Sequence, residues 1–213
     1  MTDIEYFYSA HSAYAYIGSA RFMQIARAAG RRIAHKPMDL GRVLDVTGPG
    51  VSGGRTPARR AYFFGREIER WAELREAPIM QGIPSRHFED MTLANCMLIA
   101  ANIEAADVDG LAHCLLQAHW RDDADLSDRA TLARLSGKAG VDARALLAAA
   151  QTSEVRAVYE QNTEEAIRRS VFGSPTYFVD GDMFYGQDHL EMMERALTRP
   201  FADTWPKTAA TAG

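Results

Sequence analysis

The chain has 213 residues, a formal net charge of −4, and 47% hydrophobic against 24% charged residues. That balance belongs to an ordinary globular domain with room for one core and a sizeable insertion. The slight negative charge leaves no basic footprint for nucleic acid, and no apolar run approaches the roughly 20 residues of a membrane-spanning helix.

The chain order begins with Ile4 to Tyr8, a β-branched and aromatic run that predicts a strand. No signal-peptide pattern precedes it, so a cytoplasmic location is the default expectation. Ser9 to Ser12 are small and polar and predict a tight loop. Ala15, Gly18, Phe22, Ile25, Ala26 and Ala29 then fall three and four apart, one face of an amphipathic helix that Gly30 stops. Ser12 therefore stands at a strand–loop–helix junction, at or near the N-cap. Its hydroxyl lies beside unpaired backbone N–H groups and the positive end of a helix dipole. Two readings of it follow from the local pattern: a plain cap, or a hydroxyl that holds a bound anion.

A second strand is predicted at Arg32 to Met38, followed by a short link from Asp39 to Val46 and a Gly/Pro-rich loop over 47–57. That loop contains Gly50-Val51-Ser52-Gly53-Gly54, a formal G-x-S-x-G. A nucleophile elbow needs a strand before it and a helix directly after; here Pro49 precedes and Arg55-Thr56-Pro57 follow, which argues against a serine hydrolase.

From 58 to 170 the pattern is nearly all helical. Helices are predicted from about Pro57 to Glu76, Thr92 to Ala106 and Asp109 to Trp120, with Pro78, Gly82 and Pro84 breaking the chain between the first two. Ser127 opens a further helix that Gly140 ends. Asp142 caps a short one, and Thr152 or Ser153 starts a longer one to Ser170. Cys96 and Cys114, the two cysteines, sit in apolar helical surroundings and read as buried small hydrophobes. With no C-x-x-C and no zinc spacing, neither a disulfide nor a metal site is expected.

Strand character returns at Val171 and in Thr176 to Val179. Asp180-Gly181 is a two-residue hairpin turn leading into Met183 to Tyr185. Asp188 and Glu191 stand at capping-box spacing before a helix from about His189 to Leu197. The order predicts an α/β, thioredoxin-like layered domain formed by 1–46 and 171–200. An all-helical insertion at 57–170 splits it, and a frayed tail follows over 201–213.

Four stretches carry a resemblance. Ser12-Ala13-Tyr14-Ala15-Tyr16-Ile17-Gly18 resembles a Ser-Pro-aromatic-Ser-aromatic-Leu-Gly pattern, with Ala13 and Ala15 in place of the proline and second serine. Val171-Phe172-Gly173-Ser174-Pro175-Thr176 is similar to Val-Phe-Gly-x-Pro-Thr. Tyr185-Gly186-Gln187-Asp188-His189-Leu190 resembles Trp/Phe-Gly-Asn/Ser-Asp-Arg-Leu, and Arg59-Arg60-Ala61-Tyr62 through Trp71 resembles a helix that sends a cation to the site. Together, from about Ile4 to Leu197, they resemble the 2-hydroxychromene-2-carboxylate isomerases and kappa-class glutathione transferases of the DsbA-like thioredoxin fold.

The resemblance implies glutathione as the cofactor and a homodimer as the assembly. Ser12 is implied to hold the glutathione sulfur. Ser174 and a cis Pro175 would take its cysteinyl part, Gln187 and Asp188 its γ-glutamyl end, and Arg59 or Arg60 a carboxylate. His11 and Tyr14 are implied near a small aromatic or electrophilic substrate. Three activities share this site: glutathione-dependent isomerisation, conjugation of glutathione to electrophiles, and binding without turnover.

Overall fold

The computed structural model describes residues 2–48 and 56–205, apart from the side chain of Arg60. The G-x-S-x-G stretch lies outside the described residues. Strands β1 (Ile4–Tyr8) and β2 (Ile33–Pro37) flank helix α1 (Ala13–Ala28) in sequence and pair in parallel, Ile4 opposite Ile33. Strands β3 (Thr176–Val179) and β4 (Asp182–Tyr185) form a hairpin that adds antiparallel to β1, giving the order β2-β1-β3-β4. The hairpin turns at Asp180 and Gly181, which both have positive φ (50° and 92°), as a type I′ turn requires.

Side-chain alternation along β1 sends its aromatic residues to both faces of the sheet. Tyr6 stacks on Tyr8 (4.0 Å between centroids) and on Tyr177 (5.4 Å), and Phe22 of α1 closes over Tyr6 and Tyr177. On the other face Phe7 and Phe178 pack with Met38, Val43, Ala166 and Val171. Arg169 covers that cluster, its guanidinium 3.6 Å from the Phe178 centroid and paired with Glu5.

The segment after β2 is a helix, α2 (Leu40–Thr47), where a link was expected. Asp39 accepts a hydrogen bond from Arg42 N at 3.1 Å and so caps it, and Val43 anchors it in the core. The long helix expected from Pro57 is divided into α3 (Pro57–Ala61), a π-type turn (Tyr62–Arg66) and α4 (Glu67–Leu74). Helices α5 (Thr92–Ile103), α6 (Val108–Asp122), α7 (Arg129–Lys138), α8 (Ala143–Ala149) and α9 (Ser153–Arg168) follow. The cap of α7 is Asp128 rather than Ser127, because the Ser127 hydroxyl donates to Asp125 Oδ1 at 2.6 Å. Helix α5 is the centre of the insertion, with Ala94 to Ala101 all buried.

The expected capping box of Asp188 and Glu191 does not form. A 3₁₀ turn (Gln187–His189) leads into α10 (Leu190–Thr198), and Glu191 is paired with Arg75 instead. Val171, expected to start a strand, is buried coil whose carbonyl accepts from Thr47 Oγ1. Residues 201–205, expected to fray, lie along β4: Phe201 packs on Phe184, and Trp205 N donates to Asp182 Oδ1 at 2.7 Å.

Gly18 sets how closely α1 approaches the 187–189 turn, since a Cβ there would stand 2.6 Å from Gln187 Cβ. Gly18→Ala is expected to displace that turn and lower stability by about 1–3 kcal/mol, the usual cost of overpacking. Urea unfolding of the variant beside wild type measures it.

Candidate active site

Ser12 caps α1 as the sequence predicts. Its φ and ψ are extended (−72°, 122°), and its Oγ accepts from Ala15 N at 3.3 Å. The same hydroxyl donates to the carbonyl of Ser174 at 3.0 Å. Antiparallel pairing of β1 with β3 brings these residues together across 162 positions of sequence. The Ser174–Pro175 bond is cis, as the resemblance implied. Ser9 N donates to Ser174 Oγ at 3.2 Å, so the loop before α1 and the loop before β3 are joined at two points.

Gly186 N donates to Pro175 O at 2.9 Å and carries the junction on to the Gln187–Asp188 turn. Gln187 points inward and is 1% exposed, whereas Asp188 is exposed. Arg75 grips the turn: its Nε donates to Gln187 Oε1 and its Nη2 to Gln187 O, both at 3.1 Å. Gln187 Nε2 is buried without a partner among the described residues. Arg75 is a cation that sequence reasoning missed. It is the residue just after α4, and no local pattern connects it to a turn 112 positions away.

Of the two arginines expected at the site, Arg59 is exposed, its guanidinium 5.7 Å from the Phe63 ring centroid. It has no carboxylate partner among the described residues. The side chain of Arg60 lies outside them. Tyr14 donates its hydroxyl to Phe63 O at 2.8 Å, which ties the π-type turn to the first turn of α1.

The insertion also builds the site. Asn95 of α5 accepts from Ala10 N at 2.9 Å and donates to Ser9 Oγ at 3.1 Å. Trp120 of α6 donates its indole N–H to His11 O at 2.8 Å. The His11 ring meets Ser9 Oγ through Nδ1 at 2.9 Å and lies 5.0 Å from the ring of His87. His87 Nδ1 meets His119 Nε2 at 3.1 Å, and His119 Nδ1 donates to Ala124 O at 3.0 Å. Asn95, Trp120, His87 and His119 were all missed from sequence: three lie in apolar helices and His87 in a polar turn, and none has a distinguishing spacing.

Burial lowers the pKa of all three histidines, His11 to about 4 and His87 to about 3, with the neighbouring histidines adding to the effect on these two. They are therefore neutral near pH 7. Burial also raises the Cys96 and Cys114 thiols, so neither supplies a ready thiolate. Among the described residues no three His, Cys, Asp or Glu side chains could hold a metal, and no helix is long and apolar enough to cross a membrane. A groove of about 550 Å³ runs beside β4, but its lining includes neither Ser12 nor Ser174.

A family model of the DSBA-like thioredoxin domain matches residues 3–198, and the chain belongs to that family. Its fold is the DsbA-like thioredoxin fold with a helical insertion. Among curated relatives, 2-hydroxychromene-2-carboxylate isomerase of Pseudomonas putida is 24% identical over 92% of this chain and 94% of its own. The isomerase of the same name from Sphingobium xenophagum is 25% identical over 91% and 97%. A solved 2-hydroxychromene-2-carboxylate isomerase superposes with a TM-score of 0.79 at 24% identity, covering 93% of this chain and 95% of that one. The cytosolic disulfide reductase DsbM of Pseudomonas aeruginosa, solved with GSH, superposes at 0.62 with 16% identity, covering 93% of each chain.

The depressed histidine values have a consequence for stability. The unfolded chain takes up these protons near pH 6.5, before the folded chain does. The stability is fully present above about pH 6.5 and is lost as pH falls through the window down to about 4 for His11 and about 3 for His87. Burial raises the Glu5 pKa, but hydrogen bonds and charge from Arg169 and Lys36 outweigh it, so Glu5 adds to the loss only below its ordinary value of 4.5. Urea midpoints should therefore decline from pH 7 to pH 4.5, and His87→Phe should flatten that decline.

Proposed function

We propose that the chain is a glutathione-dependent isomerase of 2-hydroxychromene-2-carboxylate or a related unsaturated aromatic carboxylate. The observation that carries the reading is the Ser12 hydroxyl at the N-terminus of α1, bonded to the carbonyl before a cis-proline. In thiol–disulfide oxidoreductases of this fold the same junction carries C-x-x-C. The stretch Ser12 to Ala15 has no sulfur, so the thiol has to come from a ligand.

The residues present fit glutathione. Ser12 and the first-turn N–H groups of α1 face an anion, and the loop around Ser174 offers a peptide edge. Gln187 and Asp188 stand on the turn that Gly186 N joins to the carbonyl of Pro175, next along from the Ser174 edge. Bound there, glutathione would supply a thiolate nucleophile for an unsaturated substrate, with Ser12 and the α1 N-terminus holding its sulfur.

The magnitudes agree. A free thiol with a pKa near ~8.5 is about 3% thiolate at pH 7; at roughly 6.5 it is about 75%, a change of about 2.7 kcal/mol. A hydrogen bond to a charged group contributes about 1.5–3 kcal/mol, and a helix N-terminus about 0.3–1 kcal/mol. Ser12 and α1 together reach that sum. For this the Ser12 O–H turns from Ser174 O to the sulfur, which frees the Ser174 carbonyl to accept an N–H from the ligand. Arg59 is exposed and has no carboxylate partner among the described residues, so it is available for the substrate or glycyl carboxylate; Arg75 is already committed to Glu191 and Gln187. The role of Arg60 stays a proposal drawn from the resemblance.

Ser12→Ala is expected to lower the glutathione-dependent isomerisation rate about 10- to 100-fold, the factor matching the loss of one charge-assisted hydrogen bond. It should also reduce the thermal shift produced by millimolar glutathione. A wild-type rate that is the same with and without glutathione would falsify the proposal. A stable thioether accumulating in place of an isomer would reassign the chain to conjugation.

A further inference from the structure

Beside Ser12 the histidine chain has a feature that thiol activation does not use. Asn95 Oδ1 accepts from Ala10 N, which turns Asn95 Nδ2 toward Ser9 Oγ as a donor. Among the described residues the Ser9 proton has no other acceptor, so it goes to His11 Nδ1, and neutral His11 carries its hydrogen on Nε2. At the far end of the chain, Ala124 O can only accept, so His119 carries its hydrogen on Nδ1 and leaves Nε2 bare. His87 Nδ1 must then donate to it, and His87 Nε2 is a bare lone pair. The two rings, 5.0 Å apart and inclined at 64°, thus offer one N–H and one acceptor. Among the described residues neither Nε2 has a hydrogen-bond partner, and neither is sealed among the buried polar atoms that lack one.

The nearest rings are aromatic, and the Arg86–Glu89 ion pair flanks His87 on the same turn. Trp120 lies 5.2 Å from His87, and the Phe88 ring, 87% exposed, lies 5.0 Å from it. The titratable groups that act on His11 and His87 are each other and His119; Asp123 and Asp125 act on His119. A carboxylate could use only the donor of this pair and an ammonium only the acceptor. A hydroxyl is the single-atom group that satisfies both.

We propose that His11 Nε2–H and His87 Nε2 form a neutral donor–acceptor pair that recognises a hydroxyl group on the aromatic second substrate, against the face of Phe88. This rests on the reading of Ser12 as the reaction site, and it assigns substrate selection to two residues outside the glutathione contacts.

The test uses the full chain with 2-hydroxycinnamate and 2-methoxycinnamate as probes, each titrated by calorimetry with and without glutathione. The hydroxy compound is expected to bind about tenfold or more tighter, because the methoxy compound leaves the His87 acceptor unpaired. In His87→Phe and in His11→Phe the two probes should bind within about twofold of each other. Nitrogen-15 NMR of histidine-labelled wild type provides a readout that needs no variant to fold. It should show His11 as the Nε2–H and His87 as the Nδ1–H tautomer, with the His87 Nε2 resonance moving on addition of the hydroxy probe alone. Equal affinities in wild type, a preference that survives both variants, or reversed tautomers would overturn the proposal. A preserved hydroxyl preference with no response to glutathione would instead overturn the glutathione reading and leave this pair standing.

Discussion

The hydroxyl of Ser12 makes two bonds that hold the site together. It accepts from Ala15 N and so starts α1; it donates to Ser174 O and so joins α1 to the other end of the chain. The β-hairpin of β3 and β4 pairs with β1, the cis-proline loop meets the cap, and Gly186 N binds Pro175 O to set the next turn. Gly18 then lets α1 come close enough for Gln187 to be buried against it. Each step fixes the position of the next, and all start from a helix N-terminus with unpaired N–H groups. The cap of α1 and the bond to the cis-proline loop are thus one arrangement, made by a single hydroxyl at a helix end.

The helical insertion contributes residues to this junction as well as mass. Asn95 fixes the backbone of Ala10, Trp120 fixes that of His11, and the loop before α5 lays His87 against the His11 ring. Charge is handled differently on the two sides of the site. Burial keeps the histidines neutral, while Arg59 stays exposed and cationic on the segment tied to Tyr14. The hydrogen-bonding groups nearest Ser12 are neutral, which leaves the helix dipole and the hydroxyl as the main local polarity there.

Much of this protein is legible in the sequence alone. The strand at Ile4–Tyr8, the cap at Ser12, the caps at Asp142 and Thr152, and the Asp180-Gly181 turn all depend on contacts within a few residues, and such contacts leave a periodic or positional mark. Where two local signals competed, the sequence was ambiguous: Ser127 and Asp128 are both capping residues, and only the bond from Ser127 to Asp125 assigns the cap to Asp128. The link after β2 read as irregular because α2 is short and its apolar face is completed by Val171 and Ala166 from the far end of the chain.

The tertiary structure decided what depends on distant partners. Glu191 sits at capping-box spacing, yet an arginine 116 positions away takes its carboxylate, and an ion pair of that range has no sequence signature. The roles of Asn95 and Trp120 likewise arise from α5 and α6 packing onto the β1–α1 loop, that of His87 from the loop before α5, and that of Arg75 from its reach to the 187–191 segment. The sequence by itself determined the element types, the thioredoxin-like order and the hydroxyl at the head of α1, because helix caps and side-chain periods are local. Which neutral and charged groups surround that hydroxyl was decided only when the insertion folded back onto it, because burial and long-range hydrogen bonding come from the packed whole.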